Sequence, residues 1–392
     1  MNQETLRMSD KERKRLVVMN RYERGEILLK EAAWEMKLSV RQAIRIKKRF
    51  QAEGAEGLVH RSRDIPSRRG YGPEVRRRAL EIYQERYSDF GPTLASEKMA
   101  EHEGLDVNHE TLRRWLIAKC LWRVGAEGRV HRSKRKRRER LGEMLQIDGS
   151  EHAWFEERAE KCMLMVLVDD ATGRMMLHMA EAETTTAALT VLSKWVWKYG
   201  VPASLYADQR SVYFTQKFVH NHDLRDDPAV FTRFMRVTDR LGIAMIPAFS
   251  PQAKGRVERA NRTLQDRLVK ELRLRGISTI DEANAMLDGF AEEMNSRFAK
   301  EPLRQGDAHR SAPKGRRQWD YFFCYEDTRT VQKDNTVVFQ NAQWQILEQE
   351  GGPRPGQSVT LRTPLRGQEP YWLFGGTRLR TRYLGSSRPR AA

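Results

Sequence analysis

Three apolar runs follow one another in the middle of the chain: EMLQIDGS (143–150), KCMLMVLVDD (161–170) and GRMMLHMAEA (173–182). A fourth, ASLYAD (203–208), comes only after TTTAALTVLSKWVWKYG (184–200), whose periodicity is helical and which stops at Gly200. Short apolar runs closed by Asp, Gly or Pro read as strands, and strands, then a helix, then a strand suit a mixed sheet. This order constrains residues 141–300 more than any composition figure, because it makes them an α/β core with acids at strand ends.

Three of the acids stand in unlike settings. Asp148 and Asp208 each close an apolar run, while Glu258 lies within a long amphipathic helix that follows Ser250-Pro251. Carboxylates delivered by separate elements are the means of building a site for two hard divalent cations. Mg²⁺ takes oxygen ligands, and two ions about 3.5–4 Å apart stabilise both the attacking and the leaving oxygen of an in-line displacement. For any one of these residues alone, a solvated surface acid is the ordinary reading; the joint pattern carries the proposal. Asp169 and Asp170 also end a strand, but DDATG is what a hairpin turn asks for, with Asp accepting local hydrogen bonds and Gly173 supplying a positive φ. His220, His222 and Asp223 fall in a polar stretch and read as a surface loop. Within the helix, Lys254, Glu258 and Arg262 are four apart and share a face. Gly255 reads either as a point where the backbone shifts when DNA enters or as an ordinary helix-start residue.

The segments MLQIDGS, LYADQRSVYF and SPQAKGRVERANRTLQDRL resemble the three catalytic blocks of DDE transposases of the retroviral-integrase superfamily, closest in arrangement to bacterial insertion-sequence transposases of the ISNCY kind. In the third block Ser250, Pro251, Gln252, Gly255, Glu258, Arg259, Asn261 and Arg262 all fit. The resemblance implies an RNase H-like catalytic core with a mixed five-stranded sheet, and metal-dependent DNA cleavage and joining. It makes Asp148, Asp208 and Glu258 the catalytic metal ligands, for two Mg²⁺ ions per site with Mn²⁺ able to substitute. Two departures stand out. Asp208 and Glu258 are 50 positions apart, longer than in retroviral integrases, with the excess expected in HNHDLRDDPAVFTRFMRV. Gln265 stands where many relatives carry Lys or Arg, leaving Lys254, Arg256 and Arg262 for contact with a DNA end.

Charge agrees with a DNA partner. The net charge is +18, but residues 1–140 carry 35 basic and 21 acidic side chains, a net of +14, and residues 141–392 only +4. Such a surface attracts a polyanion, since neutralising phosphates releases condensed counterions. Ser9 is expected to cap a helix over Asp10 to Glu23. LLKEAAWEMKLSVRQAIRIKKRFQAEG then reads as helix, tight turn, helix, with Ser39 as the second cap. Ala32, Ala33, Met36, Leu38, Val40, Ile44 and Ile46 are assigned to the core, leaving Arg41, Gln42, Arg45, Lys48 and Arg49 for a major groove. A basic linker with Arg68 and Arg69, suited to phosphates or a minor groove, leads to a second helix-turn-helix, where Asn108 caps a helix carrying Thr111, Arg113 and Arg114. The basic run RVGAEGRVHRSKRKRRER (123–140) joins it to the core or is merely solvated.

The expected organisation is a helix-turn-helix domain at 1–60, a linker at 61–73, a second helix-turn-helix domain at 74–122, a linker at 123–140, the catalytic core at 141–300, a small all-β barrel at 301–380 and a disordered tail at 381–392. The barrel rests on short alternating segments, QWDYFFCYEDTRTV, NTVVFQNAQWQILE, QSVTLRTPL and PYWLFGGTRL, separated by Gly- and Pro-rich turns. Cys120, Cys162 and Cys324 lack the spacing of a disulfide framework or zinc finger, so a reducing cytoplasm is expected, with the protein on the nucleoid. No apolar run is long enough to span a bilayer, and the start MNQETLRMSDKER is too polar for a signal peptide. The function expected is that of an insertion-sequence transposase acting on double-stranded DNA, both its terminal inverted repeats and a target, as a homodimer or larger assembly. Two alternatives stay open: a transposase-derived regulator without catalysis, and a nuclease that cuts without joining.

Overall fold

The computed structural model describes residues 6–61, 70–123, 136–221, 227–249, 255–365 and 369–386. The chain divides into two compact units at about residue 125.

In the first unit, α1 (Asp10–Glu23) begins where Ser9 donates its backbone N–H to Glu12 at 2.8 Å. Glu12 also accepts the His60 N–H at 3.0 Å, so one buried carboxylate joins both ends of this helical group. The helices α2 (Leu29–Glu35) and α3 (Val40–Glu53) form the expected pair, with Ser39 accepting the Gln42 N–H. The buried stripe of α3 is Ala43, Ile46 and Phe50, spaced at helical intervals. Val40 and Ile44 therefore fall on the outside, 44 % and 41 % exposed, correcting their assignment to the core. Ile44 is one residue, about 100°, off that stripe. The second group is α4 (Pro73–Arg86), α5 (Pro92–Glu103) and α6 (His109–Ala118), packed around Tyr83, Tyr87, Phe90, Leu112 and Leu116. Asn108 caps α6 by accepting the Glu110 N–H at 3.0 Å.

The second unit is built on a five-stranded mixed sheet in the order β3-β2-β1-β4-β5. Its strands are β1 (Leu145–His152), β2 (Cys162–Asp169), β3 (Met175–Ala180), β4 (Ser204–Ala207) and β5 (Ala244–Pro247). The first three are antiparallel, and β4 and β5 run parallel to β1. Alternation along β2 shows why the sheet is a middle layer. Met163, Met165 and Leu167 join one core with α7 (Thr185–Tyr199), whereas Leu164, Val166 and Val168 join the other with α10 (Gly255–Leu274) and α11 (Ile280–Phe298). The outer edge of β3 is closed by side chains in place of a strand: Asn284 and Asn295 of α11 each bond both backbone groups of Met179 and Met175. Such pairing removes the hazard of an open edge.

The β2–β3 turn is as expected. Asp169 accepts from the Thr172 backbone and hydroxyl, both at 2.7 Å, and Gly173 has φ +78°. The described residues between Asp208 and β5 include helices. They contribute α8 (Gln216–His220) and α9 (Arg233–Arg240), whose Phe218, Val219, Phe234, Met235 and Val237 enter the α7-side core. His222 and Asp223 lie outside the described residues, and His220 is exposed.

The C-terminal β region holds two antiparallel sheets. One, in the order β11-β10-β9-β6, comprises β6 (Cys324–Thr330), β9 (Ser358–Pro364), β10 (Tyr371–Phe374) and β11 (Thr377–Arg378); the other, β12-β8-β7, comprises β7 (Thr336–Phe339), β8 (Ala342–Ile346) and β12 (Thr381–Ser386). Two expectations are corrected. Residues Gly315–Phe322 form helix α12, so QWDYF is not strand, and its Trp319 seals the α7-side core. The segment read as a disordered tail supplies β12, which pairs with β8 because Thr381 to Tyr383 stand in register with Ile346 to Trp344. All three cysteines are free thiols. No helix among the described residues is long and apolar enough to cross a membrane.

Candidate active site

On β1, Leu145 and Ile147 face the α7 side, which leaves Gln146, Asp148 and Ser150 for the α10 side. Three residues of α10, four apart, meet them. The Val257 N–H donates to Gln146 Oε1 at 3.3 Å, Asn261 Nδ2 to Asp148 Oδ2 at 3.0 Å, and Gln265 Nε2 to Ser150 Oγ at 3.2 Å. A strand advances about 6.8 Å in two residues and a helix about 6 Å in four, so the two rows stay in step over three rungs. Gln265, which stands where many relatives of the resembled family carry Lys or Arg, is thus a rung of this ladder.

Asp208 follows the last residue of β4. The parallel register pairs Leu145 with Leu205 and Gln146 with Tyr206, and continuing it by two residues sets Asp148 opposite Asp208 where the strands part. Around this opening stand three groups that the sequence did not single out. Arg210 donates its backbone N–H to Asp208 Oδ1 at 3.3 Å, and its Nε lies 3.2 Å from Asp208 Oδ2. The same guanidinium bonds Glu183 through Nη1, and Glu183 Oε1 accepts the Tyr213 hydroxyl at 2.9 Å. Burial raises the Glu183 carboxyl above the usual range, and the charges of Asp208 and Asp148 push the same way. Burial likewise raises the Tyr213 phenol, and the Glu183 charge raises Arg210. A Cβ at Gly149 would come within 2.8 Å of the Glu183 carboxyl, so the glycine beside Asp148 makes room for it. A glycine inside a strand often marks such close approach, and the Gly of QIDGS was the readable sign.

Glu258 is exposed on α10, three residues before Asn261 and on its face of the helix. The structure thus brings Asp148 and Asp208 together with Glu183, while no group of three His, Cys, Asp or Glu residues among the described ones is gathered closely enough to hold a metal ion. The donors are nevertheless of the right type, all carboxylate oxygens. Asn261 Oδ1 is buried beside Asp148 with no hydrogen-bond partner among the described residues. An orphaned acceptor costs about 1–3 kcal/mol and marks a place where a hydrogen-bond donor is missing.

Asp170 is taken up structurally, accepting from Gln146 Nε2 at 2.9 Å and the Arg138 N–H at 2.8 Å. Arg256 lies 3.6 Å from it with its side chain largely covered. Arg262 is exposed; Lys254, Arg68 and Arg69 lie outside the described residues. In the first unit Arg41, Gln42, Arg45 and Lys48 are exposed on α3, with Arg49 half-buried. On α6, Arg114 is exposed, Thr111 is half-buried, and Arg113 is half-buried and bonded to Glu110 at 2.8 and 3.0 Å.

Comparison with known proteins fits this arrangement. A helix-turn-helix domain model matches residues 14–64, and a homeodomain-like domain model matches 42–116. The "Putative transposase y4bF" of Sinorhizobium fredii is 39 % identical over 344 residues, 88 % of this chain and 74 % of the relative. The transposase for insertion sequence IS1202 of Streptococcus pneumoniae is 29 % identical over 73 % of this chain and 68 % of its own length. Among solved structures, the HTLV-2 integrase catalytic core domain matches 38 % of this chain and 86 % of its own at 18 % identity, with a TM-score of 0.29, too low to bear weight. The chain belongs to the transposase family of y4bF.

Proposed function

We propose that the protein is an insertion-sequence transposase that binds terminal inverted repeats, cleaves DNA at the element ends and joins the freed 3′-hydroxyl to target DNA. The observation that carries this reading is the meeting of Asp148 and Asp208 where β1 and β4 part, with α10 fastened to Asp148 through Asn261 and bearing Glu258 one turn earlier.

In this reading Asp148, Asp208 and Glu258 would hold two Mg²⁺ ions, with Mn²⁺ able to replace them. When bound, such ions supply charge stabilisation to the attacking and leaving oxygens of phosphoryl transfer. The chain's own contribution is positioning. Asn261 orients the Asp148 carboxylate, Glu258 and Arg262 lie four apart on one face of α10, and Arg262 offers a positive charge to the DNA backbone. Recognition is assigned to Arg41, Gln42, Arg45, Lys48 and Arg49 on α3, to Thr111, Arg113 and Arg114 on α6, and to Arg68, Arg69 and Lys254. Arg113 must exchange Glu110 for phosphate to take part. Because one chain carries one acidic triad and joining handles two ends, the working form is at least a dimer on DNA. The proposed domain boundaries follow the same scheme, and a cytoplasmic, nucleoid-bound setting follows from the DNA partner.

A DNA-binding regulator without catalysis is the competing reading, favoured by the exposed position of Glu258 on α10, apart from the meeting of Asp148 and Asp208. Purified protein incubated with labelled inverted-repeat DNA and Mg²⁺ or Mn²⁺, with nicked and joined products scored separately, decides between them. Joined product supports the transposase, nicked product alone a nuclease, and retarded but intact DNA the regulator.

A further inference from the structure

We propose that Arg210 is a built-in counter-ion of the acidic site, competing with the divalent cation for Asp208, and that Glu183 is the positioning residue that holds the guanidinium when Asp208 is given up. The inference rests on the reading of Asp148 and Asp208 as ion ligands.

Three carboxylates, Asp148, Asp208 and Glu183, stand around one opening. Their mutual repulsion favours an opposing charge, and among the described residues Arg210 touches two of them. Its Nε lies 3.2 Å from Asp208 Oδ2 and its Nη1 bonds Glu183 Oε2. An ion held by Asp208 would draw on the same carboxylate, so the guanidinium and the ion would compete for it. The guanidinium is a planar fork, and its two ends can part company with different acids by a small rotation.

The two acids differ in their surroundings, and this gives the exchange its direction. The Glu183 side chain is 6 % exposed and anchored by the Tyr213 hydroxyl, against 25 % for Asp208 and 56 % for Arg210 itself. The Glu183 carboxyl also packs against β1, where Gly149 lacks the Cβ that would occupy its place. With both of its oxygens engaged, Glu183 is better suited to keep the arginine than to ligate an ion. The mobile partner is Arg210, whose half-exposed side chain leaves Asp208 and stays on Glu183.

The test is Mn²⁺ binding to the full-length chain without DNA, read from the electron paramagnetic resonance of free Mn²⁺, with thermal melts to confirm folding. Arg210→Gln should bind Mn²⁺ about two- to fivefold more tightly than wild type, the scale of one partly exposed ion pair. Glu183→Gln should bind more weakly, because the arginine is left with Asp208 alone, and most of that loss should vanish in the Arg210→Gln background. A purely structural role for Glu183 would lower the melting temperature equally in both backgrounds and leave the coupling between the two residues at zero. Unchanged or weaker Mn²⁺ binding by Arg210→Gln overturns the proposal. Mn²⁺ binding that is the same in wild type and Asp208→Asn overturns the ion-ligand reading beneath it as well.

Discussion

Asn261 donates its side-chain amide N–H to Asp148 Oδ2 at 3.0 Å, while its own oxygen is buried without a partner among the described residues. This contact sets the orientation of the strand carboxylate and the rotation of α10 about its axis together. Removing it should therefore disturb chemistry more than folding. Asn261→Ala is expected to slow DNA cleavage by about 10- to 100-fold, the equivalent of about 1–3 kcal/mol for a lost partner of a charged group. Asn261→Asp, which sets a second negative charge against Asp148, should be at least as severe. Cleavage of labelled terminal DNA gives the rates, and a wild-type rate for Asn261→Ala would refute the orienting role.

Neighbouring acids should respond in opposite ways. Asp169 is buried and accepts from the Gly142 N–H at 3.0 Å and from Thr172, with burial raising its carboxyl despite these bonds. Asp169→Asn, which turns an amide N–H toward donors, should lower stability by about 1–3 kcal/mol while the folded fraction still cleaves DNA. Asp148→Asn should abolish cleavage and leave the melting temperature within a few degrees of wild type. Chemical denaturation and cleavage assays on the two variants check the contrast; it fails if Asp169→Asn is stable but inactive.

The difference between those acids shows what the sequence revealed. DDATG announced a turn because Asp and Gly have local reasons to be there, and the turn formed. The first four strands of the sheet and the helix caps Ser39 and Asn108 were legible for the same reason: their signals are short-range. Glu183 was not, because its role depends on Gly149, Arg210 and Tyr213, which only the sheet register brings near it. Val40 and Ile44 were misassigned because apolar character alone does not say which face of α3 meets α2. The segment QWDYF was read as strand because a short aromatic run fits either state, and its burial of Trp319 in the α7-side core decides for helix. Lys254, Arg68 and Arg69 fall outside the described residues.

Thiol reactivity offers a check on the sheet. Cys120 is exposed, Cys324 is buried and raised, and burial at the start of β2 pushes the Cys162 thiol up to about 11 from 9.0. A raised thiol favours the folded state at low pH, so its contribution is intact below pH 9.0 and is lost as pH climbs toward about 11. At pH 8 iodoacetamide should label Cys120 in the native protein and reach Cys162 and Cys324 only after denaturation. Peptide mass spectrometry reads the order of labelling, and equal rates at Cys120 and Cys162 would contradict the burial.

DNA binding should belong to the exposed basic face of α3. A chain with Arg41, Arg45 and Lys48 all changed to Ala should lose specific affinity for terminal DNA, with its melting temperature little changed. For wild type, affinity should drop roughly 10³- to 10⁵-fold between about 50 and 200 mM salt, the range for about six to ten phosphate contacts. Fluorescence anisotropy across a salt series checks both, and a triple variant with wild-type affinity would remove α3 from the interface.

The most direct test of the account is a change of ligand chemistry at Asp208. Asp208→Cys exchanges a hard oxygen for a soft thiolate, which Mg²⁺ binds poorly and Mn²⁺ or Cd²⁺ accepts more readily. Cleavage and joining of labelled terminal DNA by this variant should vanish with Mg²⁺ and return in part with Mn²⁺ or Cd²⁺, while wild type works with Mg²⁺. Activity of Asp208→Cys with Mg²⁺ equal to that of wild type would contradict the claim that Asp208 carries the metal.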